Sequence, residues 1–374
     1  MNKPLHVLFV LENYWPNIGG VEHLFKKLVE QLARNGSKVT VITTRLSPHD
    51  PAVEEAGNIR ILRYRFYNRY FFTLFALFPV LRNAGACDLI HTTSYNAALP
   101  AFLGARLRGK KVVVTFHEVW ADLWFRLPWM TWPGKCLHYL FEQMLLRLPF
   151  DRFIGVSRFT AGRLVKAGVS PDRVSAVLNG IDYGDFTEKK ENEPHGRAVN
   201  EPYRPFTYTY FGRLGVSKGL DVLLSAACQF SRQFPDTRLN MIIPTVPRPF
   251  FLKIKKEIAR LGLEGHVRLL HELPFQELKA ELCRSDCAVI PSLSEGFCFA
   301  AVECMALGVP IVHSGRGALS EVVSGHFIEM TDHSAEALAG ALEKALLGKW
   351  DYKPPQRFEL KDTVEAYWQL YNLM

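Results

Sequence analysis

Residues 291–310 read PSLSEGFCFAAVECMALGVP, and they carry the clearest indication of the fold. The apolar run 287–290 in front of it predicts a short buried β-strand. After Phe297 the apolar residues recur at helical spacing, the pattern stops at Gly308, and a second apolar strand follows at 310–313. A strand, a helix and a second strand at this spacing predict a right-handed βαβ unit in a parallel sheet.

Two carboxylates frame the predicted helix. Glu295 lies in the loop at its start, and Glu303 lies two turns along it. Open parallel sheets bind ligands beyond the carboxyl ends of their strands, where loop amides around Gly296 and Phe297 and the positive helix end favour anionic or hydroxyl-rich groups. Both carboxylates can then accept hydrogen bonds from vicinal hydroxyls. For the two residues alone, the alternative is that Glu295 caps the helix and Glu303 faces solvent.

The same alternation extends through both halves of the chain and predicts an α/β protein with two doubly wound domains. In the first half we expect strands at 5–10, 39–42, 88–91, 111–116 and 153–156, with a helix at 21–32. In the second half we expect strands at 206–211, 239–243, 267–270 and 287–290, with helices between them. Residues 186–205 are polar and bear prolines, so they predict a linker between domains at 1–185 and 206–357. Residues 358–374 predict a terminal helix that crosses back to the first domain.

Length and composition agree with two folded domains. The chain has 374 residues, of which 48% are hydrophobic and 22% charged. This composition is globular, and the length exceeds the roughly 250–300 residues that one core usually supports. The seven cysteines form no CxxC pair, which argues against a disulfide framework or a structural zinc site and favours a reduced, cytosolic setting. We also expect no targeting segment, because the apolar run 5–11 is short and lacks a cleavage site.

The positive charge is concentrated in the first half. Residues 1–185 hold 23 Lys and Arg against 14 Asp and Glu, a net of +9, whereas residues 186–374 hold 22 against 23, a net of −1. No acidic residue occurs from Ala56 through Cys87, and arginines alternate there and at 120–152 with aromatic residues. Such a mixture of residues is typical of segments that bind the interface of an anionic membrane. The predicted membrane-side residues are Arg63, Arg65, Arg69, Trp124 and Trp129. A packed core with a solvated rim and, more weakly, single-stranded nucleic acid are the alternatives. The longest apolar stretch, 70–81, is about half the ~20 residues that span a bilayer.

The frame around Glu295 and Glu303 resembles the signature of the family 4 retaining glycosyltransferases of the GT-B fold. Other segments of the chain resemble further motifs of that family, and they occur in the same order. They are Asn13-Tyr14-Trp15-Pro16 with Gly19-Gly20 and Glu22, Thr115-Phe116-His117-Glu118, Asn179-Gly180-Ile181-Asp182, and the loop from Phe211 to Asp221. The resemblance covers essentially the whole chain. It implies a GT-B fold, with two Rossmann-like domains facing across a cleft.

The resemblance also implies roles for individual residues. Arg213 and Lys218 would grip the diphosphate of a nucleotide-sugar donor and stabilise charge on the leaving group, for which cations beside a strand-to-helix turn are suited. Glu295 would hold sugar hydroxyls and Glu303 the ribose, while His117 would contact the donor sugar. Backbone approach and amide donors would come from Gly20, Gly212, Gly296 and Phe297. His91 also follows a predicted strand, and it is a candidate for either packing or function.

The function implied is retaining transfer of a sugar from a nucleotide-diphosphate donor, UDP- or GDP-linked, to a hydroxyl of a membrane-associated acceptor. A lipid-linked glycan in cell-surface polysaccharide or glycolipid synthesis would fit, at the inner face of the cytoplasmic membrane. No Asp-x-Asp motif occurs, so we expect no metal and no other cofactor. A GT-B-type sugar-nucleotide epimerase and a non-catalytic nucleotide-sugar-binding protein are the alternatives. An NAD-dependent enzyme is disfavoured because no G-x-G-x-x-G follows the first strand. Two departures from the family pattern, the glycine-free loop 244–249 and Arg316, leave the donor side of the site open in detail.

Overall fold

A computed structural model describes residues 4–17, 19–186 and 204–374. The chain forms two compact units. The N-terminal unit comprises residues 1–126, 130–180 and 359–374, and the C-terminal unit comprises residues 127–129 and 181–358. Apart from its ends at Phe186 and 204–205, the predicted linker 186–205 lies outside the described residues.

The N-terminal unit is built on an eight-stranded sheet in the order β3-β4-β2-β1-β5-β6-β7-β8. All neighbouring strands in it are parallel except β3 and β4, which form an antiparallel hairpin at one edge. The strands are β1 His6–Val10, β2 Lys38–Thr44, β3 Val53–Ala56, β4 Ile59–Tyr64, β5 Leu89–Thr93, β6 Lys111–Phe116, β7 Arg152–Gly155 and β8 Val174–Ala176.

Helices join these strands, and their apolar faces cover the sheet. They are α1 Gly20–Arg34, α2 Arg69–Phe75, α3 Leu77–Ala84, α4 Ala98–Leu107, α5 Trp132–Arg147 and α6 Arg158–Lys166. Short 3-10 turns lie at Tyr95–Ala97, Ala121–Arg126, Pro171–Arg173 and Tyr183–Phe186. In α1 the buried Leu24, Leu28 and Leu32 recur at helical spacing on one face. Packing this face against the sheet stabilises the helix.

The C-terminal unit has a seven-stranded sheet in the order β11-β10-β9-β12-β13-β14-β15, with only β15 antiparallel to its neighbour. Its strands are β9 Phe206–Phe211, β10 Thr237–Ile242, β11 Val267–Leu270, β12 Cys287–Ile290, β13 Ile311–His313, β14 Gly325–Glu329 and β15 Asp351–Lys353. Its helices are α7 Leu220–Gln233, α8 Arg248–Arg260, α9 Phe275–Arg284, α10 Phe299–Ala306, α11 Leu319–Val322 and α12 Ala335–Leu346.

The last helix, α13 Leu360–Asn372, belongs to the N-terminal unit. Its side chains form hydrogen bonds with that unit: Thr363 Oγ1 donates to Leu178 O at 2.8 Å, and Tyr367 Oη lies 3.1 Å from the buried Thr115 Oγ1. Tyr371 Oη lies 2.5 Å from His91 Nδ1. A buried polar network that is fully hydrogen-bonded fixes one arrangement of its elements, so α13 completes the first unit.

The expected doubly wound α/β architecture is present in both units. The strands predicted at 111–116, 206–211, 267–270 and 287–290 have the predicted bounds, and most others differ by one or two residues. The arginine- and aromatic-rich segment 56–87 holds β4, α2 and α3.

Candidate functional site

Three loops of the C-terminal unit leave the carboxyl ends of the adjacent strands β9, β12 and β13 and pack backbone against backbone. Leu293 N donates to Ser217 O at 2.8 Å, and Ala318 N donates to Glu295 O at 2.7 Å. Glycines permit this approach. A Cβ on Gly219, whose φ is +65°, would lie 2.0 Å from Pro291 O, and one on Gly317 would lie 2.2 Å from Glu295 O. No other residue fits at either position without moving the backbone.

Glu295 and Lys218 meet where these loops join. Lys218 Nζ lies 2.7 Å from Glu295 Oε1, and Ser292 Oγ donates to the same oxygen at 2.6 Å. Burial favours the neutral amine of Lys218, but the adjacent Glu295 carboxylate outweighs this effect and raises the lysine's pKa above its ordinary value. The cation is therefore fixed in position. Its other two N–H groups, and Glu295 Oε2, take no part in these two bonds.

Glu303 lies on α10 and is partly buried. Burial raises the pKa of Glu303 to about 7, because a carboxylate loses hydration there. The start of α10 is marked by Cys298, a buried non-glycine residue with φ +80°. Left-handed backbone at a non-glycine residue costs free energy and is concentrated at functional sites. Nothing in the sequence signals this feature, since a cysteine before a helix is unremarkable by composition.

The remaining predicted residues of this unit fall into two groups. Arg213 follows Gly212, whose φ is +142°; it is exposed, and within the described part of the chain its guanidinium has no hydrogen-bond or ion-pair partner. Gly296 is buried beside Glu295. The side chain of Phe297, in contrast, belongs to the core and packs on Phe299 and Phe358 with ring centroids 5.4 and 5.3 Å apart. Only its main chain is available for the predicted role.

In the N-terminal unit, His117 follows β6 and is partly buried. Its ring meets Phe25 edge-on with centroids 5.9 Å apart. Beyond it, Glu142 on α5 is fully buried and accepts four hydrogen bonds. Its donors are Tyr95 Oη at 2.8 Å, Trp120 N at 2.9 Å, Ala121 N at 2.6 Å and Trp124 Nε1 at 3.1 Å. The carboxylate therefore holds the loop that begins at His117.

Arg163 on α6 contacts the carbonyl side of the same loop. Its Nη2 donates to Trp120 O at 2.9 Å and lies 3.1 Å from Asp122 Oδ1, and its Nε donates to Val119 O at 3.4 Å. An anion thus binds the N–H groups and a cation binds the C=O groups of one short segment. We call Glu142, Arg163 and residues 119–122 the loop clamp. Sequence reasoning missed it, because its parts come from separate helices.

The first loop, before α1, holds an acidic group beside the predicted phosphate-directed amide. Gly20 is the first residue of α1, and Glu22 in its first turn is buried. A Cβ on Gly19 would lie 2.2 Å from Glu22 Oε2, so the carboxylate rests on the glycine. Asn17 Nδ2 donates to Glu22 Oε1 at 3.1 Å. The positive end of the helix favours a carboxylate at this position.

His91 is a packing residue. It is fully buried, its Nε2 lies 2.8 Å from Thr115 Oγ1, and its Nδ1 bonds to Tyr371 on α13. Burial, with a smaller contribution from the charge of His117, lowers the pKa of His91 to about 3. The neutral imidazole therefore joins β5, β6 and α13.

Two of the predicted membrane-side residues lie inside the N-terminal unit, and that part of the prediction is wrong. Arg63 is 5% exposed, lies 2.8 Å from Glu54 Oε2 and donates to Trp15 O at 3.1 Å, so its charge is neutralised internally. Trp124 is buried, and its indole N–H bonds to Glu142. Trp129 is exposed but falls in the C-terminal unit, where it packs on Phe250 with centroids 5.0 Å apart.

Other residues do expose cations and apolar groups on the N-terminal unit. Arg65 and Arg69 are exposed, and Arg69 Nε lies 3.2 Å from Glu12 Oε1. The α2–α3 patch consists of the exposed Tyr70, Phe71, Leu74, Phe75 and Phe78. Helix α5 adds the exposed Trp132, Leu137, Leu140 and Met144. None of the helices in the described ranges has the length and apolarity needed to cross a bilayer.

Two Rossmann-like units, with a cation–carboxylate site at the strand ends of the second, are the architecture of the GT-B fold. Two family models match nearly the whole chain. The model of Glycosyltransferase Family 4 matches residues 18–184, and that of Glycosyl transferases group 1 matches residues 192–361. The chain belongs to the family 4 glycosyltransferases.

Comparisons with individual proteins agree with this family. The chain is 26% identical over 387 residues to a subunit of the human phosphatidylinositol N-acetylglucosaminyltransferase, covering 98% of this chain and 74% of that protein. It is 28% identical over 365 residues to the GDP-mannose:cellobiosyl-diphosphopolyprenol alpha-mannosyltransferase of Xanthomonas oryzae, covering 90% and 87%. The solved structure of sucrose-phosphate synthase from Thermosynechococcus elongatus superposes with a TM-score of 0.75 at 21% identity, covering 99% and 97%. This last likeness concerns the fold alone.

Proposed function

We propose that the protein transfers a sugar, with retention of anomeric configuration, from a nucleotide-diphosphate sugar to a hydroxyl of a lipid-linked acceptor. The observation that carries the proposal is the contact of Lys218 with Glu295, in the unit that also exposes the guanidinium of Arg213. A fixed ammonium and an available guanidinium suit a leaving diphosphate, whose charge grows in the transition state. The remaining oxygen of Glu295 suits the hydroxyls of the transferred sugar.

Each assigned residue has a distinct task in this proposal. Arg213 and Lys218 bind the diphosphate and stabilise the leaving group, so no metal ion is required. Glu303, ionised in the complex, accepts the ribose hydroxyls. His117, whose loop is held by the loop clamp, contacts the donor sugar. The leaving phosphate helps to deprotonate the acceptor hydroxyl on the same face of the sugar, which preserves the configuration.

The acceptor is assigned from the relatives and from the N-terminal unit. The human and Xanthomonas relatives are named for a phosphatidylinositol and a diphosphopolyprenol, and both names describe a phosphate group joined to a lipid. We propose an acceptor of the same kind, a lipid that carries a phosphate or diphosphate. The exposed apolar side chains of the α2–α3 patch favour a peripheral position on a membrane. The exposed Arg65 and Arg69 favour an anionic surface, and we propose the inner face of the cytoplasmic membrane.

A thermal-shift screen of UDP- and GDP-sugars tests the donor side. A ligand at a hundredfold excess over its Kd stabilises the folded state by about 2.7 kcal/mol, which raises Tm by several degrees. We expect one nucleotide class to do this for the wild type and for the control Glu264→Ala, an exposed glutamate of the same unit, and to lose the effect in Glu303→Ala. No shift with any nucleotide would contradict the proposal.

Product analysis tests the reaction. With the stabilising donor and a lipid-linked acceptor, we expect a glycosylated lipid of retained configuration by NMR, and the same rate with and without EDTA. A strict requirement for a divalent metal would overturn the metal-independent mechanism. An epimerised nucleotide sugar formed without acceptor would indicate an epimerase instead.

A further inference from the structure

Two arginines follow neighbouring parallel strands of the N-terminal unit at paired positions. Strands β2 and β4 pair Thr44 with Tyr64, and Arg45 N donates to Tyr64 O at 2.8 Å. Arg45 is therefore the residue that follows β2, and Arg65 is the residue that follows β4. The carboxyl end of a parallel sheet is where such folds bind ligands, and both cations stand at that end.

Both arginines line one cavity. It has a volume of about 320 Å³, which is within the range of small-ligand sites. Its walls are formed by Arg45, Leu46, Pro48, Arg65, Phe66 and Tyr67. No carboxylate is among these lining residues, which are two arginines, two aromatic residues, a leucine and a proline.

The neighbouring arginines are neutralised, and these two are not. Arg60, Arg63 and Arg69 pair with Glu55, Glu54 and Glu12 at 3.0, 2.8 and 3.2 Å. Arg65 is exposed and has no ion-pair partner in the described ranges of the chain.

Arg45 is instead held by neutral carbonyls. Its Nε donates to Asp50 O and its Nη2 to Pro48 O, both at 2.7 Å. Those bonds fix the guanidinium and leave three of its five N–H groups for a ligand. The positioned guanidinium of Arg45, together with the exposed cation of Arg65 on the same cavity, suits a phosphate, whose oxygens accept such forks.

The rim of the cavity continues into the α2–α3 patch. Tyr67 is 90% exposed, its ring lies 5.9 Å from that of Phe71, and Phe71 stacks on Phe75 at 5.6 Å. The cavity with its two arginines and an exposed aromatic row thus lie side by side. This is the arrangement that an amphiphile with an anionic head and an apolar chain would occupy.

We propose that the cavity of Arg45 and Arg65 binds the phosphate or diphosphate of the lipid-linked acceptor, with the lipid chain along Tyr67, Phe71 and Phe75. The inference rests on the proposed function for the identity of the ligand as an acceptor. The binding chemistry itself rests on the cavity. In this proposal Arg65 binds a specific phosphate group and does not merely attract the protein to an anionic membrane.

Direct binding of a short-chain prenyl diphosphate, measured by calorimetry, tests the site. The measurements use an Arg213→Ala background, so that the donor loop contributes less to diphosphate binding. We expect Arg65→Ala to weaken binding about tenfold or more, as loss of a charge-assisted contact does, and Arg65→Lys to weaken it less. Arg45→Lys, which keeps the charge but loses the fork, is expected to weaken binding as well. The matched control is Arg82→Ala, an exposed arginine on α3 that lies outside the cavity.

A measurement with inorganic diphosphate distinguishes the contribution of the anion to binding from that of the lipid chain. We expect it to bind through the same two arginines but more weakly than the prenyl compound, because it lacks the chain. Equal weakening by Arg65→Ala and Arg82→Ala would show diffuse charge attraction and overturn the site. Absence of prenyl diphosphate binding by the folded protein would do the same.

The acceptor role is tested in the transfer assay. Arg65→Ala should raise the KM for the lipid-linked acceptor and leave the thermal shift by the nucleotide sugar unchanged. An unchanged acceptor KM would overturn the acceptor role. Absence of transfer with every donor would contradict the proposed function, while the calorimetric result would stand by itself.

Discussion

At the residue scale, the chemistry of the site depends on how burial treats single charges. Lys218 and Glu295 neutralise each other at 2.7 Å. Glu303 has no such partner among the described residues, and its pKa is raised to about 7. A group that is half-protonated near neutral pH couples its ligand to protons.

This coupling predicts a pH dependence of donor binding. If the ionised Glu303 accepts the ribose hydroxyls, the protonated form must lose its proton first, so the donor Kd should fall as pH rises from 6 to 8. The expected change is about tenfold, and the curve should level above pH 8. Calorimetry in buffers of different ionisation enthalpy should show proton release at pH 6.5. Glu303→Gln should abolish the dependence, and Glu264→Gln should keep it; a dependence that survives in Glu303→Gln would contradict the assignment.

The free protein should show the opposite sign for the same residue. The pKa of Glu303 in the folded state is raised above its ordinary value of 4.5, so its contribution to stability is fully present below about pH 4.5. That contribution is lost as pH rises through 7. The Tm of the wild type should therefore fall relative to the Tm of Glu303→Gln as pH rises from 5 to 8. A difference that does not change with pH would show that Glu303 is not buried in solution.

At the element scale, the loop clamp fixes the segment after β6 through a buried carboxylate. Glu142→Gln keeps the shape of the side chain but replaces one acceptor oxygen by an N–H₂ group. The N–H₂ group then points at one of the two pairs of donors, either Tyr95 with Trp120 or Ala121 with Trp124, and that pair loses its acceptor. We expect the free energy of unfolding to fall by roughly 2–4 kcal/mol, since each buried unpaired donor costs about 1–3 kcal/mol.

Hydrogen exchange distinguishes a local role from a general one. The amides of Trp120 and Ala121 should lose protection in Glu142→Gln, and kcat should fall more than the KM for the donor changes. Tyr95→Phe is the matched control, because it removes one donor and leaves the other three bonded to the carboxylate. Uniform loss of protection across the N-terminal unit, with unchanged kcat, would contradict a positioning role.

The elements show which parts of the fold a sequence can predict. Strand β12 is a continuous apolar run and β6 is apolar except at Lys111 and Thr115, so the bounds of both follow closely from the local sequence. The hairpin of β3 and β4 was missed because its outer strand is wholly exposed and charged. Arg63 was misplaced for a related reason: its partners, Glu54 and Trp15, are 9 and 48 residues away, and no local pattern reports them. The placement of Glu295 in a loop and of Glu303 on a helix was predictable because both lie within one local strand–loop–helix pattern.

At the scale of the whole molecule, the uneven charge can be assigned to particular residues. The excess of +9 in residues 1–185 predicted a surface that meets an anion. Part of that charge is internal, as Arg63 is. Among the cations at the surface are the half-buried Arg45 and the exposed Arg65 at the carboxyl end of the sheet, with the α2–α3 patch beside them.

The patch predicts binding to anionic vesicles by two separable forces. Leu74 and Phe78 are 64% and 61% exposed, and each should bury an apolar side chain in the membrane interface. Replacing both by Ser should weaken partition onto phosphatidylglycerol vesicles at least about tenfold, because each buried side chain contributes roughly 1.5–3 kcal/mol. Raising NaCl from about 0.05 to about 0.5 M should weaken wild type and variant alike, since salt screens exposed charges. The control is Leu347→Ser, 55% exposed on the near-neutral C-terminal unit, which should sediment like the wild type. Unchanged sedimentation of the Leu74 and Phe78 variant would place the membrane contact elsewhere, and failure of the wild type to bind at low salt would exclude it.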